Sequence, residues 1–85
     1  MPIISRFFGI IIYLYWKDHS PPHFHAKYQD QEITMEIKTG KVKGNINKRA
    51  LKMLNEWRKK YLNELLDDWQ LAQNKKILKN IDPLE

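Results

Sequence analysis

The first half of the chain follows the two-residue period of β-strands, in which alternate side chains point to opposite faces. Residues 3–8 and 10–16 are rich in β-branched and aromatic residues, and Gly9 between them favours a bend or bulge. This pattern predicts two strands, or one kinked strand. Apolar residues occupy both alternating sets of residues 10–16, so we expect both faces of that segment to be at least partly covered.

A hairpin is predicted next, after the proline pair at residues 21–22 has ended the preceding strand. Residues 24–28 and 32–38 flank a turn at Asp30 and Gln31. The second of these strands is predicted to be half-buried, because three apolar residues alternate with polar ones. They are Ile33, Met35 and Ile37.

A short last strand is predicted through Lys41 and Val42. The pair Thr39-Gly40 is a turn signal before it, and the strand stops near Gly44. Together these segments predict an antiparallel meander of four to five strands within residues 3–45.

The second half of the chain changes to a helical period. Asn47 is a predicted N-cap, and apolar residues then recur at spacings of four, three and four, which predicts a core-facing helix over residues 47–62. Asn63 is the predicted cap of a second helix over residues 64–74, whose acidic first turn complements the helix dipole. The predicted buried face of that helix comprises Leu62, Leu65, Leu66, Trp69 and Ala72.

The last segment, residues 75–85, is too apolar for a free tail and too short and interrupted for a third helix. We therefore expect an extended arm that packs back on the rest of the chain. Strands followed by helices are typical of an α+β fold. The sequence as a whole predicts a single α+β domain over residues 1–85, with both helices packed on one face of the sheet.

Composition limits the classes of protein to which this chain can belong. Its 85 residues, of which 42% are hydrophobic and 29% charged, suffice for one small core. The absence of cysteine excludes a disulfide framework and a thiolate metal cage. The apolar residues 7–16 are fewer than the roughly 20 that span a bilayer, and no signal-peptide cleavage site follows them. We expect a cytoplasmic protein without a membrane partner.

The formal net charge of +5 is concentrated in one segment. Residues 47–61 contain six cationic side chains against Glu56 alone, which favours a polyanionic or acidic partner, although a solvated helix face is the alternative. Cations at the start of a helix oppose its dipole unless a bound anion offsets them. The predicted anion- and nucleic-acid-binding residues are Lys41, Lys43, Lys48, Arg49, Lys52 and Lys59.

All three histidines lie within residues 18–25. If this stretch is extended, His23 and His25 project from the same face, and His19 can fold back towards them across the proline turn. Three groups that titrate near neutrality suit general acid/base catalysis, with one imidazole taking a proton and another giving one. In this interpretation the catalytic residues are His19, His23, His25 and Arg6, which would stabilise developing negative charge.

Two other interpretations of the cluster stay open. His23 and His25, with Asp18 or His19, could supply three metal ligands and leave an open position, as catalytic zinc and non-haem iron sites require. Alternatively, the histidines only form hydrogen bonds with backbone groups around the proline turn and stiffen it. The spacing is not diagnostic of a metal, so the sequence favours no cofactor, with a divalent transition metal as the alternative.

The segment PIISRFFGIIIYLYWKDHSPPHFHA, residues 2–26, resembles a small bacterial family filed as a domain of unknown function and marked by a DHxPPHFHA block. The resemblance extends more loosely through KTGKVKGNI, RALKMLNEW, LLDDWQLAQ and the closing IDPL. The positions that match are Ser5, Arg6, Gly9, Asp18, His19, Pro21, Pro22, His23, Phe24 and His25. The resemblance implies the toxin half of a toxin-antitoxin pair.

We therefore expect a toxin-like protein that acts on or binds RNA or DNA, with RNA cleavage through the 2′-hydroxyl as the reaction that a metal-free histidine site could support. Exposed aromatic residues would add stacking on bases, and the candidates are Tyr13, Tyr15 and Tyr28. The expected partners are nucleic acid and a cognate antitoxin-like protein, with a homo-oligomer left open. The alternatives are a non-catalytic module that binds a partner through residues 10–16, and a small metal-binding protein.

Overall fold

The structure is a computed structural model that describes residues 2–84. Five antiparallel strands form one sheet, in chain order from edge to edge, and two helices follow. The elements are β1 (Ile3–Phe7), β2 (Ile10–Tyr13), β3 (His23–Tyr28), β4 (Gln31–Glu36), β5 (Val42–Gly44), α1 (Lys48–Lys60) and α2 (Leu62–Gln73). The predicted α+β meander with two C-terminal helices is confirmed.

The helices cover one face of the sheet and close a single core. Inward-facing residues of the strands are fully buried against residues of both helices. Among the largest fully buried side chains of this core are Ile12, Phe24, Met35, Leu54, Trp57 and Leu65. The opposite face of the sheet, which bears Tyr13, His25, Thr34 and Lys43 in one cross-strand row, faces away from the helices.

The β3–β4 turn lies one residue earlier than predicted. Gln29 and Asp30 form the turn, Tyr28 pairs with Gln31, and Gln29 has a left-handed backbone with φ 57°. The predicted turn at Asp30 and Gln31 would have shifted every β3–β4 pairing by two residues. Such a shift leaves each side chain on the same face, so the alternation of apolar and polar residues could not distinguish the two registers.

Several predicted element ends also differ from the structure: β4 ends at Glu36 rather than Lys38, and β5 begins at Val42 rather than Lys41. β2 ends at Tyr13 rather than Trp16, because the chain turns towards α2 and Lys17 donates its N–H to the carbonyl oxygen of Ala72 at 3.1 Å. α2 begins at Leu62, so the prediction that Asn63 caps it is wrong. Tyr61 alone separates the helices and continues their backbone hydrogen bonding in both directions, which places Asn63 inside α2.

Asn47 caps α1 as predicted, whereas the position of Asp68 in α2 differs from the prediction. The side chain of Asn47 accepts hydrogen bonds from the N–H groups of Arg49 and Ala50. Asp68 was expected in the acidic first turn of α2, but the only acidic residue of that turn is Glu64. Asp68 is instead fully buried, with one carboxylate oxygen accepting the N–H of Lys79. Leu65, Trp69 and Ala72 are buried as expected, while Leu62 and Leu66 are half-buried.

The segment after α2 runs back along β1 without regular secondary structure up to residue 84. Ile81 donates its N–H to the carbonyl oxygen of Ile4 at 2.8 Å, and its side chain is 6% exposed in the core. The indole N–H of Trp57 donates to the carbonyl oxygen of Asp82, also at 2.8 Å. The arm therefore attaches to both the edge strand and α1.

Two isoleucines of the arm test how far its packing stabilises the fold. Ile81→Ala should lower the free energy of unfolding by about 2 to 4 kcal/mol, because it removes a buried side chain from the core. Ile77→Ala is the matched control, since Ile77 is 90% exposed, and should change stability by less than about 0.5 kcal/mol. Urea unfolding measures the free energy of unfolding of the two variants. An equal change in both would contradict the packing of the arm.

Candidate functional site

The loop between β2 and β3 positions Asp18, and the end of α2 holds that loop. Gln73 donates a side-chain N–H to the carbonyl oxygen of Asp18 at 2.9 Å. One residue earlier, the N–H of Lys17 donates to Ala72. The indole of Trp16 donates to the carbonyl oxygen of Lys76 at 3.2 Å. The helical layer thereby fixes a loop whose carboxylate lies over the first residues of β3.

Asp18, His23 and His25 form one compact cluster. Oδ2 of Asp18 lies 2.9 Å from Nε2 of His23 and 3.3 Å from Nε2 of His25. The three side chains are only 14%, 10% and 15% exposed, respectively. His19 lies at the rim instead, 89% exposed, with its Nδ1 3.1 Å from Oδ1 of the same carboxylate. Asp18 thus contacts all three histidines, as a carboxylate that orients imidazoles would.

Aromatic rings hold the two buried imidazoles in place. The ring of His25 stacks on Tyr13 with centroids 5.1 Å apart and meets the edge of Tyr15 at 4.6 Å. The ring of His23 lies 5.3 Å from Trp69 of α2, and its Nδ1 lies 2.7 Å from the carbonyl oxygen of Pro21. These contacts restrict rotation of both imidazole rings.

Burial and charge shift the pKa values of two members of the cluster. Burial lowers the pKa of His25 below its ordinary value of 6.5, and the hydrogen bond and charge of Asp18 oppose this only in part. For Asp18, burial raises the pKa, but the hydrogen bonds of His25 and of the His19 backbone, with the charge of His23, lower it overall. At neutral pH the cluster therefore contains an ionised carboxylate and a neutral His25.

The cluster forms part of a cleft of about 310 Å³ on the face of the sheet opposite the helices. Its lining is Tyr15, Asp18, His19, Pro21, His23, His25, Thr34, Glu36, Lys41 and Lys43. The register explains this grouping. Thr34 pairs with both His25 and Lys43, while Glu36 pairs with His23 and donates its N–H to the carbonyl oxygen of Lys41. Two rows therefore run across the strands from an imidazole to a lysine.

The other predicted basic residues lie in different places. Lys48, Lys52 and Lys59 line a second groove of about 470 Å³ between α1 and the β4–β5 turn, together with Arg58. Arg49 lines a separate pocket beside Phe8 and Tyr28. The six predicted anion-binding residues thus divide among three locations.

Arg6 is exposed on β1 and lines a pocket with Ser5 and Asn80, not the cleft of the histidines. The structure therefore does not bring Arg6 to the cluster. The lysines that line the cleft are Lys41 and Lys43.

Several residues beside the histidine cluster and the second groove have no local sequence pattern that predicts their position there. Thr34 and Glu36 were recognised only as the polar face of a strand, and the hairpin register brings them beside the histidines. Gln73 and Trp69 reach the cluster from α2 through long-range packing, which local patterns cannot show. Arg58 belongs to the cationic segment of residues 47–61, yet it is 6% exposed and donates to the carbonyl oxygen of Ile37 at 2.9 Å.

Comparison with known proteins gives one match. A family model described as a domain of unknown function (DUF4160) matches residues 9–70, which include the cluster and the cleft lysines. No curated protein and no solved structure matches the chain. Within residues 2–84, neither helix has the length and apolar character needed to cross a membrane.

The electrostatic link between Asp18 and His25 is testable by titration. Because the Asp18 carboxylate raises the pKa of His25 against the larger effect of burial, Asp18→Asn should lower that pKa further. His25 would then stay neutral to a lower pH. A pH titration of the ring nitrogens by NMR, on chelator-treated protein, measures the change. Asp30→Asn, in the distant β3–β4 turn, is the control, and an unchanged or raised pKa in Asp18→Asn would refute the link.

Proposed function

This chain belongs to the DUF4160 family, and we propose that it acts on nucleic acid by cleaving RNA in the histidine cleft. The supporting observation is that the histidine cluster and two lysines line one cleft in a strongly basic chain. Histidines supply proton transfer near neutral pH, and lysines neutralise a phosphodiester. Neither group alone would favour RNA over another substrate.

Phosphate binding is assigned to Lys41 and Lys43. Both are exposed, and both lie two strands away from the histidines on the same face. Two strand spacings amount to about 10 Å, a gap that a phosphodiester with its two riboses can enter. The ammonium groups can then stabilise the negative charge that develops on the phosphoryl oxygens in the transition state.

Proton transfer is assigned to the histidines on the other side of the gap. His25 is neutral at pH 7 because burial lowers its pKa, so it can accept the proton of the 2′-hydroxyl. The 2′-oxygen then forms a bond to phosphorus as the bond from phosphorus to the 5′-oxygen breaks. His19, exposed at the rim of the cleft, gives its proton to the departing 5′-oxygen. Products are a cyclic phosphate and a free 5′-hydroxyl, with the two histidines left in exchanged protonation states.

Tyr15 indicates single-stranded rather than duplex RNA as the substrate. Its ring is 41% exposed and lines the cleft beside His25, where an unpaired base can stack on it. Tyr13 is 2% exposed and stacks on the ring of His25, so it supports that ring and is not accessible to a base.

A toxin role is supported by the resemblance of residues 2–26 to the family with the DHxPPHFHA block and by the cleft that contains the histidines. Cleavage of cellular RNA would arrest growth, and a cognate antitoxin-like protein that covers the cleft would relieve the arrest. Expression of the wild-type chain alone is therefore expected to inhibit bacterial growth, and the variants that follow provide its controls.

The cleft assignment predicts which variants lose activity. His25→Ala and the double variant Lys41→Ala/Lys43→Ala should each lower cleavage of a single-stranded RNA oligonucleotide by about 100-fold or more, the typical contribution of general acid/base or charge stabilisation. Growth inhibition should fall with them.

The matched control is Lys60→Ala/Lys76→Ala, which removes the same charge from exposed positions outside the cleft. It should keep cleavage within about threefold, because only general electrostatic attraction changes. If all variants cleave like the wild type, or if the wild type does not cleave any RNA, the proposal is wrong.

The second groove offers a track for the rest of the RNA backbone. Its charged lining is Lys48, Lys52, Arg58 and Lys59, without an acidic residue. The two sets of cations flank β5, which is an edge strand of the sheet. A strand of RNA that leaves the cleft around this edge would meet the second set.

Salt dependence distinguishes this track from the cleft. Lys48→Ala/Lys52→Ala should lower the slope of log affinity against log salt concentration by about 1.4, since each lost phosphate contact on a single strand contributes about 0.7. Cleavage at saturating RNA should change little, because neither lysine lines the cleft. Fluorescence anisotropy over a range of salt concentrations measures the slope, and an unchanged slope would exclude the track.

A further inference from the structure

The ring of His23 lies between two oxygen atoms. Its Nδ1 is 2.7 Å from the carbonyl oxygen of Pro21, and its Nε2 is 2.9 Å from Oδ2 of Asp18. A carbonyl oxygen only accepts hydrogen bonds, so Nδ1 carries a proton. In a neutral imidazole, Nε2 then has a lone pair that points at an ionised carboxylate.

A cation placed between Nε2 of His23 and the Asp18 carboxylate would be coordinated by both groups. Nε2 of His25 faces the same Oδ2 at 3.3 Å, so a third donor atom lies beside the same place.

The spacing of these donor atoms fits a coordination sphere. One ring nitrogen of His23, one ring nitrogen of His25 and a carboxylate oxygen of Asp18 all lie within 4.8 Å of one another. Ligands about 2.1 Å from an ion are about 3.0 Å apart at right angles and about 3.4 Å apart in a tetrahedron. The two distances to Oδ2, 2.9 and 3.3 Å, lie close to these values.

The surroundings of the cluster are those of a supported metal site. The bond from Nδ1 of His23 to a backbone carbonyl fixes the tautomer that leaves Nε2 free to ligate. Gln73 holds the backbone of Asp18, and Tyr13 holds the ring of His25. Three protein ligands also leave a position open, and the cleft with Lys41 and Lys43 lies beside it.

We propose that Asp18, His23 and His25 bind one divalent transition-metal ion of the class that prefers imidazole and carboxylate ligands, such as Zn²⁺, with an open position towards the cleft. Binding itself does not depend on the RNA substrate. A role for the ion in cleavage rests on the proposed function: the ion would lower the pKa of a bound water, and the resulting hydroxide, rather than the imidazole of His25, would accept the proton of the 2′-hydroxyl and return to water.

The test uses tag-free protein stripped with a chelator and titrated with Zn²⁺ by calorimetry. The wild type should bind one equivalent, with a dissociation constant below about 1 μM as is ordinary for three-ligand sites. His25→Ala and the isosteric Asp18→Asn should each weaken binding by at least 100-fold. His19→Ala, which removes a histidine outside the three ligands, should stay within about threefold of the wild type.

Thermal unfolding gives a second readout that does not require the variants to be equally stable. Zn²⁺ should raise the melting temperature of the wild type and of His19→Ala, because it binds only the folded state. It should leave that of Asp18→Asn unchanged. Binding below about 0.2 equivalents by the wild type, or equal affinity in Asp18→Asn and His25→Ala, would overturn the metal site.

RNA cleavage by the same stripped protein separates the two proposals. Undiminished cleavage without metal, in a protein that takes up no Zn²⁺, would overturn the metal site and leave the proposed function intact. Stoichiometric Zn²⁺ binding without any RNA cleavage would support the metal site and remove the proposed function.

Discussion

The alternation of side chains along β3 is the constraint on which the core and the candidate site both depend. β3 is the central strand of the sheet, and it buries Phe24 and Ala26 completely against the helices. Because successive residues of a strand point to opposite faces, burial of these two residues forces His23 and His25 to the other face. A slip of one residue would turn the imidazoles towards the helices and turn Phe24 and Ala26 away from them, so the hydrophobic effect that folds the sheet also orients the histidines.

The third member of the cluster depends on the helices instead. Asp18 lies in a loop that strand pairing does not fix, and its backbone is held by Gln73 at the end of α2. Trp69, one turn earlier in that helix, lies against the ring of His23. The sheet therefore supplies the two imidazoles, and the helical layer positions the loop that supplies the carboxylate. A core mutation that displaced α2 would separate the side chains of the cluster without changing any of them.

The periodicity of the sequence predicts which face of the sheet or helix a residue occupies, but not which residues of other elements lie beside it. A period of two placed His23 and His25 on one face, and a period of three to four placed Trp57 in the core. The grouping of Lys43 with His25 follows from two registers, His25 with Thr34 and Thr34 with Lys43. A shift of either strand register by two residues would have left each side chain on the same face of the sheet but would have given it different neighbours. Arg6 and Asp68 show the same limit, since their distant surroundings are set by tertiary packing and not by local pattern.

Charge balance determines when the cleft can hold an anion. Its lining contains two carboxylates, Asp18 and Glu36, and two ammonium groups, Lys41 and Lys43, which cancel when the histidines are neutral. The second groove, with cations alone, attracts phosphates whatever the state of the cleft. The cleft gains net positive charge only when an imidazole is protonated or a divalent cation joins Asp18. Attraction to anions is therefore a constant property of the α1 side of β5, whereas binding of an anion beside the histidines is conditional on one additional positive charge.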